Sequence, residues 1–300
     1  MGAWDWPIHL NRCHATVKDI KIIDSSIVVQ AAVNEYIDVA TVNSFDIPDY
    51  VFKEFSLPYT KRHFDIYKMA YLDFMSNQSH VWSSAGLTNG MPNAIKPDIT
   101  QLESQMWYYY CATQFIDMGC ESINFADIGQ IIQADTALSY CASLFLRIRN
   151  YANGNGKIRF LLITGHHVKG LKRGNNLLFD FASSPIRPFE YGSANFNGGG
   201  AKIDFTGCMP WSIYGRTIGG ITPSGWGCAH LLGSVFLDNY GNSGNPNTWG
   251  VPMKGCNLYH FDEITWFALQ DKSYRERWLK YAFYKIRCMD NNLYFALPIK

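Results

Sequence analysis

The sequence is short of one-sided charge, of closely spaced cysteines and of unbroken apolar runs, and each shortage removes a class of function. Against 26 Lys+Arg stand 25 Asp+Glu, a formal charge of +1, so the basic footprint of a nucleic-acid-binding protein is missing. With 47% hydrophobic and 17% charged residues, the chain is not a disordered one either. No window approaches the roughly 18 unbroken apolar residues of a membrane helix. The opening Met1-Gly2-Ala3-Trp4-Asp5-Trp6-Pro7 shows no basic segment leading into an apolar run, so no signal peptide is read there. The chain is expected to be soluble, with compartment and oligomeric state left open. None of the eight cysteines pairs with another at the spacing of a zinc knuckle or redox motif, and most are expected as buried free thiols. Gly-x-Gly-x-x-Gly after a strand, the phosphate-binding Gly-Lys-Ser/Thr loop and the Gly-x-Ser-x-Gly elbow are all missing. Gly198-Gly199-Gly200 lacks the following helix of an anion site. No cofactor is therefore expected.

What the chain has in surplus is aromatic rings, with 19 Phe, 18 Tyr and 9 Trp. A large core consumes many, and a sugar, apolar on its faces and polar at its edges, uses others.

Continuous apolar runs read as strands buried on both faces, as in parallel sheets. They occur at 26–35, 121–127, 157–164, 176–180, 201–205, 233–238 and 292–297, with a weaker eighth at 80–83. Helices are predicted between them. One opens at Asp98, with Gln101 completing a capping pattern, and runs to Gly119. Another opens at Asp135 and ends in Asn153-Gly154-Asn155-Gly156. A third starts at Asp262 and continues past a break near Asp271 to about Cys288, and an amphipathic stretch covers about His9 to Ile23. Eight strands interleaved with helices fit a (β/α)8 barrel better than a doubly wound open sheet. Residues 171–260, which hold most of the 25 glycines, predict long loops in place of later helices. No repeat or linker is seen, so residues 1–300 are read as one domain, with a longer parent chain left open.

In such a barrel the chemistry sits at the carboxyl ends of the strands. The residues closing the runs are rich in acids: Glu35, Asp127, Asp180, Asp204 and Asp238, with His166 and His167 closing the fourth. Glu35 and Asp238 follow strongly apolar runs without a basic neighbour and are the principal candidates, with Asp127 beside them. Asp180 and Asp204 read equally as turn or strand residues. Glu263 reaches toward the mouth from the last loop, while Asp262 reads as a helix cap. Among aromatics in predicted loops, Trp82, Trp211, Trp249 and Tyr240, next to Asn239, are candidates to stack on ligand. The histidine pair lacks the further ligands of a zinc site, so no metal is expected.

The strand-end acids and histidines, together with Val235-Phe-Leu-Asp238-Asn-Tyr240-Gly and Phe261-Asp-Glu263-Ile-Thr-Trp266-Phe, resemble the (β/α)8 proteins of glycoside-hydrolase type. The resemblance is architectural and assigns no particular family. It implies a carbohydrate ligand. The expected function is glycoside hydrolysis by paired carboxylates at the barrel mouth, one protonated and one ionised. Asp127 and His167 are expected to orient substrate. Two alternatives are a carbohydrate-binding protein without turnover on the same scaffold and, further off, a metal-dependent hydrolase built on His166, His167 and a carboxylate.

Overall fold

The computed structural model describes residues 6–70, 94–166, 168, 170–186, 188–191, 201–203, 216–237, 256–258 and 263–296. The chain divides into two compact units, the first made by the described residues up to Asp180 together with 219–229, the second by those from 181 onward outside that segment.

In the first unit three parallel strands lie side by side, Gln30–Ala32, Ser122–Asp127 and Leu162–His166, with the middle one paired to both neighbours. Helix Leu102–Asp117 connects the first to the second, and helix Ser139–Asn155 connects the second to the third. Both helices match the sequence expectation in place, with shifted starts. Asp98 closes a turn by accepting the Thr100 amide at 2.9 Å, and Gln101 is the N-cap residue. Gly119, at φ 97°, takes the left-handed position after the helix, where a residue without Cβ costs least. Asp135 accepts the amides of Ser139 at 2.8 Å and Cys141 at 2.9 Å, satisfying two otherwise orphaned donors.

These strands are two-faced. Ile123, Phe125 and Ile163 are buried on the helix side, where the rings of Phe125 and Phe145 lie 4.8 Å apart and those of Phe145 and Phe179 5.2 Å. Each such side chain contributes about 1.5–3 kcal/mol through burial. The opposite face is polar: Gln30 Oε1 accepts from Ser122 Oγ at 3.0 Å and Thr164 Oγ1 at 3.1 Å. Asn124 and His166 continue that row by alternation. Many of the surplus aromatics are core, since Trp107, Tyr108, Tyr109, Phe64, Phe115 and Trp266 are among the largest fully buried side chains.

The second unit has its own three parallel strands, Phe181–Ile186, Gly233–Leu237 and Leu293–Phe295. Helices Glu263–Leu269 and Lys272–Met289 precede the last. Asp271 caps the longer helix by accepting the Tyr274 amide at 2.7 Å, at the break expected from the sequence. Ile186, Val235 and Leu237 pack with Trp266, Trp278 and Ile286 in its core.

The parallel α/β class stands, and the described residues show three parallel strands in each unit; a closed eight-stranded barrel is not among them. Three strand readings need correction. The 26–35 run contracts to Gln30–Ala32, with Ile27 and Val28 42% and 44% exposed. The 176–180 run supplies only Asn176–Leu177, which pairs antiparallel with Lys172–Arg173 in a small separate sheet. The parallel strand is instead Phe181–Ile186, whose Ser-Ser-Pro text resembles a turn. Burial overrides propensity there: Ser183 is fully buried, with its hydroxyl 3.2 Å from that of Ser234. Of 201–205 the described residues contribute Ala201 and Ile203 to the second core, and the 80–83 run lies outside the described residues.

Among the six described free cysteines, Cys111, Cys120 and Cys141 are buried, Cys13 and Cys228 partly so, and Cys288 is exposed. Burial pushes the Cys120 thiol up to about 12, which keeps it protonated and inert. No helix among the described residues is long and apolar enough to cross a membrane.

Candidate functional site

The carboxyl ends of the three strands in the first unit gather polar groups on consecutive segments. The first strand leads into Asn34, Glu35 and Tyr36, all partly buried. Backbone pairing persists one residue past it, the Val33 amide donating to the Asn124 carbonyl at 2.7 Å, and the Tyr108 hydroxyl donates to the Asn34 carbonyl at 3.3 Å. Beside that loop the middle strand ends irregularly. Its register shifts between Asn124 and Asp127, so that Asp127 comes opposite His166. At the irregularity Ala126 has φ 41°, a left-handed conformation costing an L-residue about 1–2 kcal/mol. Asn124 holds this kink in place by accepting the Ala126 amide on Oδ1 at 2.8 Å.

With Oδ1 so engaged, Asn124 has its Nδ2 left for Nε2 of His166, a long contact of 3.4 Å. An amide N–H can only donate, so this arrangement suits a neutral imidazole with its proton on Nδ1. The kink turns Asp127 over a short 3-10 turn, Ile128–Gln130, and Gln130 Nε2 donates to Oδ2 of Asp127 at 2.8 Å. Among the described residues Oδ1 accepts no hydrogen bond. Gly129 keeps space beside it, since a Cβ there would stand 3.2 Å from Oδ1. The arrangement presents one carboxylate oxygen from a partly buried position, with an imidazole and an amide on the neighbouring strand ends. Groups so placed can move protons or bind hydroxyls.

A cation completes the cluster. Lys96 follows the short strand Ala94–Ile95, which pairs antiparallel with Ile37–Asp38. Its ammonium stands 5.9 Å from the centroid of the Tyr36 ring. Burial lowers its pKa from the ordinary lysine value, with the Asp127 charge pulling the other way.

The sequence candidates thus fall into four groups. Glu35, Asp127 and His166 stand at neighbouring strand ends in one unit. Asp180 is placed differently: it precedes its parallel strand rather than ending one, and its amide donates to Ile163 at the start of the third strand. Its fully buried carboxylate pairs with the Arg149 guanidinium and accepts the amides of Ile163 at 2.8 Å and Ser224 at 3.0 Å, a structural engagement. Glu263 opens its helix in the second unit. Asp238, Asn239, Tyr240, His167, Trp82, Trp211 and Trp249 lie outside the described residues, as does Asp204.

Sequence reading passed over Asn124, Gln130 and Lys96. The signal for Asn124 was present in Ser122-Ile-Asn-Phe-Ala-Asp127, where polar residues alternate with apolar ones and so mark one polar face. Lys96 carried no local signal, being brought to Tyr36 by pairing of distant segments. Among the described residues no three His, Cys, Asp or Glu side chains group as metal ligands. Comparison of the chain with protein-family models and with curated proteins gives no match.

Proposed function

We propose that the chain is a glycoside hydrolase whose working carboxylates stand at the carboxyl ends of parallel strands, with Asp127 and Glu35 in the first unit as its acids. The observation carrying this reading is the kink at Ala126. A backbone held in a costly conformation, pinned by Asn124, sets Asp127 opposite His166 in the strand pairing, with one carboxylate oxygen accepting from Gln130 and the other accepting no hydrogen bond among the described residues. Strain of this kind concentrates at functional sites. The alternation of strands with helices and the polar sheet face opposite them support a (β/α)8-type barrel as the architecture, the setting in which strand-end carboxylates act on glycosidic bonds. In this reading one carboxyl protonates the leaving oxygen and the other acts as base or nucleophile. Asn124 and His166 orient the sugar hydroxyls.

The test is product release from a broad glycan panel by the parent protein, Asp127→Asn and Glu35→Gln. Loss of about 10²–10⁴-fold in turnover in each amide variant, with glycan binding retained, is the expected outcome. Turnover unchanged in both variants overturns this assignment, and binding without cleavage by the parent protein selects the carbohydrate-binding alternative. Asp238→Asn in the same panel asks whether the acid after the Gly233–Leu237 strand takes part.

A further inference from the structure

Most partly buried cations of the first unit are matched to a carboxylate. Lys21 meets Glu121, where the exposed Arg159 joins it, Arg62 forks onto Glu103 at 2.6 and 2.7 Å, and Arg149 meets Asp180. Lys96 departs from that pattern. Its ammonium lies over the Tyr36 ring and within the field of Asp127, and among the described residues it makes no hydrogen bond or ion pair. The placement is built in by the backbone. Ile37 pairs with Ile95 and Asp38 with Ala94, so the next step of the antiparallel ladder sets Tyr36 opposite Lys96, and Tyr36 directly follows Glu35.

We infer that Lys96 is a specificity residue of the strand-end site and receives an anionic group, a carboxylate or sulfate, carried by the glycan. This rests on the carbohydrate reading of that site and deepens it. Withdrawing an ammonium from water without a partner is unfavourable, and burial holds its pKa down accordingly. An anion reaching it supplies the missing partner and turns that cost into discrimination against neutral ligands. The Tyr36 ring offers an apolar platform for a sugar face at the same place. Asp127 and Glu35 would repel an acidic ligand on their own, and the Lys96 charge offsets that repulsion. An ammonium is a point charge without the planar fork of arginine, so the geometry specifies an anion without choosing between a uronic acid and a sulfate ester.

The experiment measures equilibrium binding of the parent protein, Lys96→Gln and Lys96→Arg to an immobilised panel of neutral, uronic-acid-bearing and sulfated glycans, followed by titration of the ligands retained. The tightest ligands are expected to be anionic, and Lys96→Gln should weaken them by about tenfold or more, the scale of one charge-assisted hydrogen bond. Neutral glycans should bind Lys96→Gln at least as tightly as the parent protein, because the charge that opposes them is gone. An unchanged circular-dichroism spectrum reports an intact fold, and Lys96→Arg should restore most of the anionic affinity. Retention of the uronic-acid or the sulfated set identifies the source of the charge. Preference for neutral glycans, or anionic binding unchanged in Lys96→Gln, overturns the inference while leaving the carbohydrate reading standing. Binding to no glycan in the panel removes that reading, and this inference with it.

Discussion

The two ends of the same parallel strands in the first unit treat acidic side chains in opposite ways. At the amino ends Glu121 and Asp180 are buried, and each is met by guanidinium or ammonium groups, from Lys21 and Arg159 for one and from Arg149 for the other. At the carboxyl ends Asp127 receives one side-chain amide, and Lys96 makes no ion pair among the described residues. Charges at the first end are consumed in holding helix, strand and loop together. Those at the second are held in position and left available, at the expense of backbone strain at Ala126. An acid at a strand terminus is therefore informative only once its end and its partners are known.

The contrast breaks most visibly at Arg149. Its replacement by Met strands the Asp180 carboxylate in the core and should cost about 3–5 kcal/mol, read as a lower urea midpoint at unchanged m-value. A loss under about 1 kcal/mol would show that the pair contributes little beyond its own desolvation. Asp127→Asn is the matched change at the other end. It keeps the shape and a hydrogen-bonding partner for Gln130, so stability should move by no more than about 0.5 kcal/mol while turnover falls. A large loss of stability would place Asp127 with the structural acids. The smallest effect sharpens the claim of strain. Ala31→Gly, at an ordinary strand position, should cost about 1 kcal/mol. Ala126→Gly should cost less than that, because relief of the left-handed conformation at φ 41° offsets about 1–2 kcal/mol. Equal losses in the two variants, followed by thermal or urea unfolding, would remove the strain argument.

Punctuation made the helices legible. Asp135 with Gly156, Asp98 with Gly119, and the break at Asp271 mark helix ends in the sequence and in the structure, because caps and left-handed glycines satisfy orphaned backbone groups locally. Strands were harder to read. The apolar text of Asn176-Leu-Leu-Phe-Asp180 resembles a core strand, but its first two residues pair in a minor sheet. Phe181-Ala-Ser-Ser-Pro-Ile186 resembles a turn, yet it is a parallel strand. Asp180 was consequently expected at the wrong end of a strand. Glu35, Asp127 and His166 stand at strand carboxyl ends as that rule places them, whereas Asn124 was hidden inside a strand taken to be buried in apolar surroundings on both faces.

The sequence by itself determined the parallel α/β class, the main helices to within a few residues of their ends, and the strand-end positions of Glu35 and Asp127. These follow from apolar periodicity, caps and side-chain chemistry within a few residues of one another. Only the tertiary structure decided which acids are neutralised and which are presented, because an ion pair or hydrogen bond joins segments far apart in the chain. Arg149 reaches Asp180, Lys21 reaches Glu121, and Lys96 is left beside Tyr36. The free energy of a charge depends on the partners and the burial it meets there.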